Sequence, residues 1–86
     1  MRNYICQLYL EAKEKHQTGM LTLSELGAWD EIETIYHNMT QLKTFNLNDY
    51  LDQNIHRLLR HEEKITDYGQ GALDLLFHLK EKATQN

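Results

Sequence analysis

Five histidines among 86 residues are the first place to look for chemistry. Three of them follow an acid by four residues, as Glu33–His37, Asp52–His56 and Asp74–His78. On a helix that spacing puts both side chains on one face, where they can bind a metal or pair as ions. Helical phase decides between the two. Each of these histidines falls roughly 90° or more from the centre of its own apolar stripe, counting about 100° per residue. They point outward and do not converge in a helical interior, where carboxylate metal sites are built. The Glu-x-x-His spacing of such sites is also missing. Solvated acid–histidine pairs are expected, with no metal and no other cofactor.

The remaining candidates for catalysis read more simply as structure. Cys6 sits at the border of an apolar stripe, where an isolated cysteine is a small buried hydrophobe, and a reactive thiolate would need an electropositive setting. The carboxylates are dispersed over polar faces, so no acid–base pair is legible. Gly69-Gln70-Gly71 follows no strand and precedes no lysine at the position a nucleotide loop needs. Close helix packing explains those glycines better than an anion site does. An enzyme is not expected.

Two features point to binding. Arg57, Arg60 and Lys64 recur at i, i+3 and i+7 on the outer side of a helix, with His56 and His61 at the edges of the patch. Cations at a helix C-terminus complement its dipole, but such effects of about 0.3–1 kcal/mol do not call for three. Phe77 lies about 100–140° from the centre of its stripe at 3.6 residues per turn, which makes it the apolar candidate for partner contact. Trp29, about 60° off centre, belongs at the edge of a core stripe instead.

Four helices must position these residues. The first spans about residues 2–17, with Ile5, Leu8, Tyr9 and Ala12 as its stripe, and Gly19 able to close it in the left-handed conformation. The second opens on Thr22 and Glu25, spaced as a capping box between Leu21 and Leu26, and runs through Ala28, Ile32, Ile35, Tyr36, Met39 and Leu42. Gly27 interrupts it at about 1 kcal/mol against alanine, which suits a close helix contact. Asn46 caps the third, whose core face is Leu47, Leu51, Ile55, Leu58 and Leu59. Thr66 or Asp67 starts the fourth, where Tyr68, Ala72, Leu73, Leu76 and Leu79 face inward. Leu75 and Phe77 widen that last stripe beyond one groove, so helix four is either buried all round or carries an exposed apolar edge. Leu58 and Leu76 lie near their stripe centres.

With no proline, no linker and only short turns, consecutive helices run antiparallel. The expected fold is all-α, a single domain over residues 1–86 forming an antiparallel up-down-up-down four-helix bundle. Hydrophobic residues make up 41% of the chain, enough for a core without disulfides, and one lone cysteine suits a reducing compartment. Gln7, Glu11 and Lys13 break up the start of the chain, so no signal peptide is read there. No run approaches the ~18 apolar residues of a membrane span, and a cytoplasmic location is expected. A net charge of −4 argues against general binding to nucleic-acid phosphates.

Several segments resemble the bacteriocin immunity proteins of the enterocin A immunity type, which lactic-acid bacteria make against pediocin-like bacteriocins. They are Gln7-Leu8-Tyr9, Ile35-Tyr36 followed by Leu42, Phe45-Asn46-Leu47 and Leu58-Leu59. The longest is Lys64-Ile65-Thr66-Asp67-Tyr68, leading into Leu73, Leu75, Leu76 and Leu79. The resemblance implies a small cytoplasmic antiparallel four-helix bundle. It also implies a non-enzymatic role, binding a complex of bacteriocin with the membrane components of the mannose permease at the inner membrane face. This chain is acidic where several members of that family are basic, and no functional residue is carried over from them. The alternative expectation is a small phage- or plasmid-type helical regulator that binds another protein or DNA.

Overall fold

Three of the four helices begin where a side chain satisfies an otherwise unpaired backbone N–H. The computed structural model describes residues 1–60 and 66–84. They form α1 (Arg2–Thr18), α2 (Leu23–Gln41), α3 (Leu47–Leu59) and α4 (Asp67–Ala83). Gly19 closes α1 in the left-handed conformation at φ 70°, its N–H bonded to the His16 carbonyl. The capping box at α2 is complete. The Thr22 hydroxyl accepts from the Glu25 N–H at 3.2 Å, and the Glu25 carboxylate accepts from the Thr22 N–H at 3.1 Å. Asn46 and Thr66 cap α3 and α4 by accepting from the N–H groups of Asp49 and Gly69, each at 3.1 Å.

The four helices form an antiparallel up-down-up-down bundle, flattened so that α2 and α4 make the most extensive backbone contact. α1 packs on α2 and α3 on α4, while side chains of α1 also reach α4 and those of α3 reach α2. The Arg2 guanidinium, at the start of α1, donates to the Met39 carbonyl near the end of α2 at 2.6 Å. Lys80, late in α4, binds Asp52 near the middle of α3 at 2.5 Å. One core joins all four helices, with Ile5, Ile32, Ile35, Leu51, Leu76 and Leu79 sealed from solvent.

Glycine lets α2 and α4 approach so closely. A Cβ on Gly27 would lie 1.8 Å from the Tyr68 carbonyl oxygen, and one on Gly71 would lie 1.8 Å from that of Ser24. No side chain larger than hydrogen fits at either position without moving a helix. The close-packing reading of both glycines is therefore what the structure contains.

Four expectations about the core are corrected. Tyr68 is exposed, because its backbone lies against Gly27 and its ring is left to turn outward, where the hydroxyl donates to Asp30. Leu42 is exposed because it is the C-cap of α2, its extended backbone (φ −110°, ψ 117°) leaving the helical phase. Leu59 ends α3 on the face of Asp52, seven residues earlier, and is also exposed. Leu58 is half-buried, and Leu51 and Ile55 are the centre of the α3 stripe.

Candidate functional site

The candidate binding residues occupy separate faces. Arg57 lies on the side of α3 that faces α2. Its guanidinium donates to the Asn54 side-chain oxygen at 3.1 and 3.2 Å, and the Asn54 amide donates to the Tyr50 carbonyl. Its charge also bears on Tyr50, whose hydroxyl reaches Glu31 of α2 at 2.5 Å. Arg60 is the exposed C-cap of α3, and Lys64 lies outside the described residues. Phe77, 45% exposed, belongs to a different edge. It stands three residues before Lys80, whose partner Asp52 shares a face of α3 with Leu59. Leu59 and Phe77 therefore flank the outer seam between α3 and α4, and Arg57 lies across α3 from them. Helix four does carry an exposed apolar edge.

The described histidines are exposed, and His37, His56 and His78 do not pair with their acids as expected. His37 packs on the rings of Tyr9 and Tyr36, and His78 takes the Tyr4 hydroxyl. Asp52 is taken instead by Lys80, and Asp74 accepts from the Gln70 amide. At His37 and His78 the aromatic partners are held in place by packing, whereas an exposed ion pair must order two free side chains. His16 stacks on Trp29 with centroids 4.9 Å apart. His61 lies outside the described residues. Among the described residues, no three His, Cys, Asp or Glu side chains are grouped to hold a metal. Cys6 is half-buried, and Trp29 is buried at the core edge.

One apolar cleft was not legible as a site. Between α1, α2 and α4 lies a cleft of about 200 Å³ with walls from Leu8, Ala12, Ala28, Trp29, Ile32 and Leu75. Leu21 and the side chains of Glu11, Lys15 and Glu25 complete its lining. Lys15 and Glu25 come within 3.8 Å of each other there. The Thr22 backbone N–H, with the Thr22 hydroxyl and the Lys15 ammonium, holds the Glu25 carboxyl below its ordinary range. The cleft exists because α1 rests on α2 through a row of rings. Tyr9 stacks on Tyr36 at 4.0 Å and on Trp29 at 5.6 Å. Beside these rings, Leu8 and Ala12 of α1 and Leu75 of α4 line the cleft together. The widened stripe at Leu75 was the only signal for it.

Such an arrangement can hold an apolar side chain or present an edge to a partner. Among the described residues, no helix is long and apolar enough to cross a membrane. No family model, no curated protein and no solved structure matches this chain.

Proposed function

We propose that this chain is a non-enzymatic binding protein of the bacteriocin-immunity type, acting in the cytoplasm on a complex of bacteriocin with a membrane permease. The four-helix architecture agrees with what the sequence resemblance implies. The observation that carries a binding role is the exposed apolar edge of Leu59 and Phe77, at 43% and 45% exposure. Large exposed apolar side chains beside one seam suit a partner contact, and the helices that carry them, α3 and α4, are each capped at the N-terminus by a side chain. The cleft beside Trp29 offers a second place for an apolar anchor of the partner.

Expression of this chain in a strain sensitive to pediocin-like peptides should raise the inhibitory concentration of one or a few of them. Phe77→Ala should reduce that protection while leaving the helical circular dichroism unchanged. Equal killing of expressing and control cells across a panel of such peptides would remove the immunity reading. The competing reading, a phage- or plasmid-type regulator binding a protein or DNA, expects no change in sensitivity at all.

A further inference from the structure

The charges of this acidic chain are not spread evenly, and one end of the bundle is basic. Two clefts meet there, where the start of α1, the α2–α3 turn and the end of α4 come together. One, of about 650 Å³, is lined by Tyr4, Lys43, Phe45 and Lys82 among others. The other, of about 570 Å³, adds Arg2 and Leu42 and shares Lys43, Phe45 and Leu47 with the first. The two linings bring together Arg2, Lys43 and Lys82, and among the described residues no carboxylate side chain lines either cleft. That is unexpected in a chain with 13 acids against 9 lysines and arginines. Asp49 and Glu81 lie on the adjoining turns of α3 and α4, and Asp52 is occupied by Lys80.

Two of the cations have local roles that hold them in place without neutralising them. Arg2 donates to a carbonyl of the last α2 turn, and the Lys82 ammonium sits 5.0 Å from the centre of the Tyr4 ring. Lys43 is exposed, beside the exposed Leu42. Met1, which is 42% exposed, lines the first cleft as well. Cations interleaved with outward apolar side chains at the tip of a bundle match one kind of partner.

We propose that this end of the bundle docks on an anionic lipid bilayer, with Arg2, Lys43 and Lys82 against the headgroup phosphates and Leu42 and Met1 entering the interface. Leu42 and Met1 are what favour a bilayer over a nucleic acid, whose phosphate backbone offers apolar side chains nothing to enter. The net charge of −4 does not oppose docking in this orientation. The molecule is 32 Å long, so charges at its far end lie several Debye lengths, of about 8 Å each at physiological salt, from the surface. The surface stands apart from the Leu59–Phe77 edge and from the apolar cleft, so docking holds whether or not the chain confers immunity.

Flotation of the purified protein with vesicles tests this directly. Binding is expected to vesicles containing about one-third phosphatidylglycerol and not to pure phosphatidylcholine, and it should fall as salt is raised. Lys43→Gln with Lys82→Gln should weaken binding by about 25-fold, roughly fivefold per charge removed. Leu42→Ser should also weaken it, and both variants should keep the circular dichroism of the parent. Arg57→Gln with Arg60→Gln should leave vesicle binding unchanged. Equal affinity for neutral vesicles, or anionic binding that ignores Lys43 and Lys82, would overturn the proposal. So would binding to duplex DNA, lost in the Lys43/Lys82 variant, that is tighter than binding to vesicles.

Discussion

The seams on the two sides of α2 are built in opposite ways. Against α4 the backbones themselves meet, and Gly27 and Gly71 leave no room for even a methyl group. Against α1 the contact is made by rings, with Tyr9 between Trp29 and Tyr36 and His16 beyond. The first seam has one geometry, because hard-sphere contact between main chains cannot be redistributed. The second spans a wider gap, leaves a cleft on one side and can be repacked by rotation of side chains. The difference places the rigid part of the molecule at its centre and the adaptable part along α1.

The largest effect should come from filling the tight seam. Alanine at either glycine gains about 1 kcal/mol of helix propensity, so a loose seam would make the variants more stable. The 1.8 Å approaches instead predict net destabilisation, with overpacking worth about 1–3 kcal/mol at each site, occasionally more. That is a large share of the ~4–13 kcal/mol expected for a domain of this length. The sites share one seam, so the double variant should cost less than the sum of the singles. Once α2 and α4 have separated to admit one methyl group, the second enters more easily. Denaturant titration of the two singles and the double measures both quantities. Additive or stabilising substitutions would mean that the helices are not in backbone contact.

Next in size are two tyrosine clasps that reach over α2. Tyr50 of α3 donates to the buried Glu31, and Tyr68 of α4 donates to its neighbour Asp30. Tyr50→Phe leaves a carboxylate oxygen of Glu31 without that donor and should cost about 1–3 kcal/mol. The clasps also set an alkaline limit. Burial, with the bond to Glu31 and its charge, pushes the Tyr50 phenol well above its ordinary value near 10. The bond to Asp30, with some burial, pushes Tyr68 up to about 12. Above pH 10 the unfolded chain gives up these protons while the folded chain keeps them. The stability they contribute is therefore whole below pH 10 and lost as pH rises above it. For Tyr50 the slope is at most about 1.4 kcal/mol per pH unit, and for the more exposed Tyr68 solvent screening makes it smaller. Chemical denaturation between pH 9 and 12 should steepen in the parent and flatten in Tyr50→Phe.

What the sequence could and could not disclose follows from the same contrast. Caps act within three residues, so Thr22, Glu25, Asn46 and Thr66 were legible, and apolar periodicity gave four helices with Ile32, Ile35, Leu51, Leu76 and Leu79 inside. Phe77 was placed outward by phase alone, and it is exposed. Tertiary partners were beyond reach. The Tyr68 ring turns out because of a glycine 41 residues earlier, and hydropathy carries no trace of a backbone contact. The apolar cleft arises from the gap that Tyr9 and Trp29 set between helices, a property of ring size and orientation and not of spacing. The separation of Arg57 from Phe77 depends on which side of α3 faces α2, which one helix's phase does not fix.

The ring seam should yield where the glycine seam does not. Tyr9→Leu keeps an apolar side chain at the interface and removes the two stacks, worth about 0.5–1.5 kcal/mol each by the usual measure. Leucine recovers part of this by repacking against Trp29, so a net loss near 1 kcal/mol is expected. A loss as large as that at Gly71 would show that the α1 contact is as inflexible as the central one.

The smallest effect is the most discriminating. Leu75 is half-buried and faces the cleft of about 200 Å³, whereas its neighbour Leu76 is sealed in the core. Enlarging both to phenylalanine adds the same atoms to two different surroundings. At Leu76 there is no free volume, and forcing a ring among Ile32, Ile35 and Leu79 should cost about 1–3 kcal/mol. At Leu75 the ring can enter the cleft against Leu8, Ala12 and Trp29, burying apolar area at roughly 25 cal/mol per Å². The gain is set against the rotamer entropy lost on ordering the ring, so the change should stay within about 1 kcal/mol of zero. Thermal melts of the two variants make the comparison, since 1 kcal/mol moves the midpoint of a domain this size by about 4–8 °C. If Leu75→Phe falls as far as Leu76→Phe, α1 closes over that space in solution, and both seams of α2 are equally tight.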